Sequence, residues 1–157
     1  MTKKAFQDYY PDQLAHCYGC GHLNEHGHQI KSYWDGEESV CRFKPQPYHT
    51  AIPRYVYGGL IASLIDCHGT GTAAAAAFRA EGREMDTDPP HRFVTASLRV
   101  DYLKPTPLGV ELEIRGQVKE VKGRKVTVTA QLLANGEVCA TGVIVCVEVP
   151  DEWFKQV

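Results

Sequence analysis

The stretch that decides the fold is Tyr57-Gly58-Gly59-Leu60-Ile61-Ala62-Ser63-Leu64-Ile65-Asp66-Cys67-His68-Gly69-Thr70-Gly71-Thr72, continuing through Ala73–Ala77 and Phe78-Arg79-Ala80 to Glu81. Its apolar residues fit a helix and cover nearly the whole circumference, so the helix is expected to be enclosed by other structure. Gly58, Gly59, Gly69 and Gly71 interrupt it, each costing about 0.8–1 kcal/mol relative to Ala in a helix interior. Such a cost is tolerated where backbone must approach something closely. Asp66 is the only acidic residue before Glu81, and a lone carboxylate on a buried helix is the anomaly that a functional reading must explain.

Working outward, four long alternating runs follow the helix. Val94, Ala96, Leu98, Val100 and Tyr102 alternate with Thr95, Ser97, Arg99 and Asp101; Val110–Val118 and Val126–Leu132 repeat the pattern, and Val138–Val149 is nearly continuous β-former. Period-2 runs joined at Lys122-Gly123 and Asn135-Gly136 predict an antiparallel meander. Before the helix, Gln29–Trp34 and Ser39–Phe43 read as a hairpin about Asp35-Gly36. Lys44–Pro53 carries three prolines and reads as a loop. Residues 1–27, rich in His, Gly, Tyr and Pro, read as an irregular segment packing on the body. The fold class is therefore α+β, with a curved antiparallel sheet of about six strands wrapped round one long central helix.

With 157 residues, the chain suits one domain spanning 1–157. Seventeen basic against nineteen acidic residues give a formal charge of −2, which argues against a nucleic-acid partner that needs a basic face. No apolar run approaches a membrane span, and Met1–Asp8 has no apolar core of a signal peptide. Six cysteines without an export signal are expected as reduced thiols in a cytoplasmic protein.

The helix and sheet resemble the hotdog-fold acyl-CoA thioesterase superfamily, particularly its phenylacetate-pathway-like group. That group carries His-Gly-Gly at the start of the central helix and an acidic residue nine positions after the His. Here Tyr57-Gly58-Gly59 stands in that place, and the ninth position is Asp66. The family's Ser or Thr in the strand after the helix, ahead of a Tyr and a Pro, corresponds to Thr95 in Val94–Pro105. Cys17-Tyr18-Gly19-Cys20-Gly21 with Asn24 and Gly27 is similar to an N-terminal segment in part of the family. The likeness spans Cys17 to Val149. One position departs: the family's His is Tyr57, a phenol that donates a hydrogen bond but is no neutral-pH acid–base group.

The resemblance implies hydrolysis of an acyl-CoA thioester to acid and CoA. Asp66 would be general base or nucleophile, and Gly59 N–H the main oxyanion donor with Tyr57 lending its hydroxyl. Thr95, from a partner subunit, would position water or Asp66. Amides at Gly58 and Gly59 are unpaired at the positive end of the helix dipole. Read without a family, they are an ordinary helix terminus, and Asp66 a structural carboxylate. Perturbed acids nevertheless gather at sites. Ser63, Asp66 and Thr70 share one face; Thr70 is a second hydroxyl candidate, or merely bonds a carbonyl four residues back. His68, about 200° round the helix from Asp66, reads as structural or interfacial. His49 could reach substrate or be merely solvated. Lys104, Arg124 and Lys125 could neutralise CoA phosphates or be ordinary surface charges.

His16, Cys17, Cys20, His22, His26 and His28 invite a metal reading. Cys-x-x-Cys is half a zinc site, and a second pair at longer spacing is missing, so the segment is read as an ordered turn with no metal. No cofactor is expected beyond the CoA of the substrate. The expected assembly is a homodimer or dimer of dimers with sites at the interface. Two other readings compete: a non-catalytic acyl-CoA or acyl-carrier-binding protein, favoured by Tyr57, and a hydratase or dehydratase, disfavoured by the missing His.

Overall fold

The computed structural model describes residues 3–155. One α-helix, α1 (Gly58–Ala80), lies against a six-stranded antiparallel sheet. Tyr57 caps α1 in extended conformation without a side-chain hydrogen bond. At its other end Glu81 N–H donates to Phe78 and Gly82 turns left-handed. Leu60, Ile61, Leu64, Ile65, Ala73, Ala74 and Phe78 are all buried, as an all-round apolar helix requires.

The strands are β1 (Ser32–Asp35), β2 (Glu38–Phe43), β3 (Phe93–Tyr102), β4 (Leu112–Lys122), β5 (Lys125–Ala134) and β6 (Glu137–Glu148). Their order is β1-β2-β4-β5-β6-β3. Thus β4, β5 and β6 form the expected meander, turning at Gly123 and at Asn135-Gly136, both of the latter at positive φ as a tight hairpin demands. β3 departs from that expectation: it pairs with β6 and not β4. The physical reason is Lys104-Pro105-Thr106-Pro107, a segment too long and too proline-rich for a two-residue turn. It carries the chain across to start β4.

A second departure matters for the site. Strict alternation puts Thr95 on the face opposite Leu98 and Val100. A β-bulge between Thr95 and Ser97 inserts Ala96 without a partner, and the face inverts there. Thr95 pairs with fully buried Cys146, Leu98 with fully buried Ile144. Both therefore point toward α1. β3 is also a sheet edge, and residues 96–99 along it are exposed.

The N-terminal segment packs on this body through 3-10 turns at Phe6–Tyr9 and Asp12–Leu14, burying Phe6 and Gln7. Helix and sheet meet closely where glycines face them. A Cβ on Gly69 would stand 2.7 Å from Ile144 Cγ1, and one on Gly142 2.4 Å from Ile65 Cγ2.

Candidate active site

Asp66 sits half-buried in mid-helix, and the bulge aims Thr95 at it: Thr95 Oγ1 donates to Asp66 Oδ1 at 2.5 Å. Both residues belong to one chain, which corrects the expectation that a partner subunit supplies this hydroxyl. The reason is the inverted face of β3 just ahead of Ala96. The other hydroxyls on the Asp66 face bond the helix itself. Ser63 donates to Gly59 O at 2.9 Å, and Thr70 to Cys67 O at 3.2 Å. That is back-bonding of the kind common for mid-helix Ser and Thr.

Asp66 and Thr95 open into a cavity of about 370 Å³ whose walls include Tyr10, Leu14, Phe93 and Phe154. Two residues in these walls, Arg92 and His91, escaped the sequence reading, and a third, Cys67, figured in it only as one of six reduced, structural thiols. Arg92 is half-buried there, and its guanidinium has no hydrogen bond or ion pair among the described residues; burial lowers its pKa. His91, also in the wall, is held between Glu148 at 2.6 Å and Glu81 at 3.1 Å. Cys67 joins Cys17 and Cys20 at the cavity wall. No sequence signal marked Arg92 or His91, because their approach to α1 depends on where β3 begins.

At the start of α1, neither Gly58 N–H nor Gly59 N–H donates to a backbone carbonyl among the described residues. The exposed Tyr57 ring lies over Gly59: a Cβ there would stand 2.4 Å from Tyr57 Cε1 and 2.7 Å from its hydroxyl oxygen. Tyr102 Oη donates to Gly58 O at 2.7 Å, tying the far end of β3 to the helix terminus. His49 orders the preceding loop. Its carbonyl accepts Tyr57 N–H, and its Nδ1 accepts Gln46 N–H, both at 2.9 Å. Burial holds its pKa below the usual imidazole value. Its ring packs beside His28, Phe43 and Tyr48, not in the Asp66 cavity.

The three candidate phosphate-binding cations do not gather. Lys104 pairs with Glu137 at 3.0 Å on the surface. Arg124 and Lys125 are exposed at the β4–β5 turn, where Arg124 O accepts Glu148 N–H at 2.8 Å. A larger groove of about 910 Å³, with Lys44, Arg54 and Tyr55 in its walls, lies between the proline-rich loop and Pro107–Gly109.

The family model described as Thioesterase superfamily matches residues 54–140, a span that runs from just before α1 into β6. The chain belongs to the thioesterase superfamily. It is similar to a solved thioesterase superfamily protein from Shewanella loihica PV-4, with 50% identity over 90% of this chain and 100% of that one, at a TM-score of 0.68. Among curated thioesterase relatives it is similar to Acyl-coenzyme A thioesterase THEM4 of Xenopus laevis. These are 35% identical over 98 residues, which is 62% of this chain and 38% of that protein. The chain thus spans well under half the length of the curated relatives it matches. The E. coli PaaI protein of the phenylacetic acid degradation operon, at 14% identity and a TM-score of 0.64, covers 78% of this chain and 81% of its own, and shows the shared hotdog fold alone. No described helix of this thioesterase superfamily member is long and apolar enough to cross a membrane.

Proposed function

We propose that the protein hydrolyses an acyl-CoA thioester, with Asp66 as general base. The observation that carries this reading is the Thr95–Asp66 hydrogen bond at the mouth of a cavity. It fixes one carboxylate oxygen and leaves the other for a water. Asp66 takes a proton as that water's oxygen attacks the carbonyl carbon. The displaced electron pair moves to the carbonyl oxygen, where Gly59 N–H and the Tyr57 hydroxyl receive it. The C–S bond then breaks, and CoA leaves as thiol with the proton that Asp66 returns. The cavity, near the small end of ligand pockets, suits a medium or aromatic acyl group. Arg124 and Lys125 remain for the CoA phosphates.

The two halves of this machinery are too far apart in one chain. Seven residues separate Gly59 from Asp66, about 10 Å along a helix. A base, a water, a carbonyl and an oxyanion donor sum to about 10 Å only when fully in line, and attack from the side of the carbonyl bends that row and makes it shorter. A second copy therefore supplies one half, and the open β3 edge with exposed Leu98, Tyr102 and Leu103 is the surface for such a homodimer. All six cysteines are free thiols, in keeping with a reducing, cytoplasmic setting.

The test is thioester loss, followed by chromatography across short, medium, long and aromatic acyl-CoAs, for wild type and Asp66→Asn. Turnover by wild type that the variant loses is the expected result. Tight binding of acyl-CoA without turnover by wild type would overturn it in favour of a binding protein.

A further inference from the structure

The three thiols beside Asp66 have no part in that chemistry. We propose that Cys17, Cys20 and Cys67 form a zinc site, with the fourth coordination position facing the Asp66 cavity. The sequence offered only half a site, because a second pair of ligands at longer spacing is absent near Cys17 and Cys20. The fold supplies a third ligand from α1, fifty residues along the chain from Cys17.

The geometry matches the ion. The three sulfur atoms lie within 4.8 Å of one another, and Cys17 Sγ is 3.7 Å from Cys67 Sγ. Tetrahedral zinc with Zn–S near 2.3 Å requires sulfurs about 3.8 Å apart. This is far beyond a disulfide bond of about 2.05 Å. The turn that presents Cys17 and Cys20 is anchored: Gly21 N–H donates to Cys17 O at 2.8 Å, and Ile30 N–H to Gly19 O at 3.2 Å. Gly19 makes room for the third ligand, since a Cβ there would stand 2.4 Å from Cys67 Sγ.

On binding, each S–H transfers its proton to solvent and its sulfur lone pair to zinc. Three thiolate ligands are compatible with a water in the fourth position. The ion would fasten the N-terminal turn to the helix residue that follows Asp66.

The test needs no turnover. Full-length protein, purified under reducing conditions, is expected to carry about one zinc per chain by elemental analysis. Its metal-free form should take up cobalt(II) with the thiolate charge-transfer and visible bands of tetrahedral coordination. Cys17→Ser and Cys67→Ser should lose at least tenfold in zinc affinity, while Cys139→Ala keeps it. Added zinc should raise the melting temperature of wild type but not of Cys17→Ser. Cys17 is exposed, so that variant tests the site without emptying the core. Reduced wild type that takes up neither metal would overturn the proposal. So would a Cys17–Cys67 disulfide whose reduction creates no metal binding, or an unchanged cobalt spectrum in Cys17→Ser.

Discussion

Asp66 and His68 are two residues apart on one helix and lead opposite lives. His68 faces β1 and β2 and is fully buried, with every polar atom matched. Its Nδ1 meets Ser32 Oγ and its Nε2 meets Ser39 Oγ, both at 2.9 Å. Ser39 also pairs with Thr72 at 2.7 Å, and Gln7 closes the network through Ser32. Asp66 faces β3 and a cavity, holds one hydroxyl, and has three thiols and an arginine without a side-chain partner among the described residues for company. A complete, sealed polar network gives stability and a fixed packing. An incomplete one at a cavity leaves bonding capacity for a ligand. The same helix thus carries a structural polar group on one side and a chemical one on the other.

The largest effect that sharpens this contrast is Asp66→Asn. It should lower kcat by about a thousandfold, within the range for a lost general base, with unchanged circular dichroism and melting temperature. Next comes pH. Burial pushes the His68 pKa down to about 4, with the Ser39 backbone opposing it, from an ordinary value near 6.5. The folded state therefore prefers neutral imidazole. Its contribution is complete above about pH 6.5 and drains away as pH falls toward 4, amounting to about 3 kcal/mol. Urea denaturation across that interval measures it. His68→Leu should flatten that slope and cost about 2 kcal/mol at pH 7 by stripping Ser32 and Ser39 of a partner, with kcat per folded chain unaltered. A parallel slope in variant and wild type would break the comparison.

Smaller again is Thr95→Val, expected to lower kcat about tenfold through loss of one charge-assisted hydrogen bond. Thr95→Ser should restore it. Thr70→Val marks the floor. Among the described residues its hydroxyl bonds only helix carbonyls, so steady-state kinetics should change by less than about twofold. A large Thr70 effect would show that this face has a second hydroxyl at work.

These contrasts also explain what was legible beforehand. Asp66 stood out because one carboxylate on a helix apolar nearly all round breaks a local pattern. The helix bounds and the hairpin turns at Gly36 and Asn135-Gly136 were likewise local signals. The side of the sheet that Thr95 takes was not. Alternation alone gives the wrong face, and the inserted Ala96 is an ordinary small residue. Placing β3 beside β6 likewise depended on pairing between residues 38 to 55 positions apart. The meeting of Cys67 with Cys17 and Cys20, and the seat of His68 between two serines, arise the same way. Each joins residues whose partners are chosen by the finished fold.

The close seating of α1 against the sheet has a consequence for how this chain can change. Replacing a mid-helix glycine by alanine ordinarily gains about 1 kcal/mol and is an easy route to heat tolerance. At Gly69 that route is shut, because the new methyl would strike Ile144, and at Gly142 a methyl would strike Ile65. Each bare hydrogen is half of a lock whose other half is a branched isoleucine. Drift toward a hardier protein must therefore move both halves together, or take place away from the helix–sheet seam.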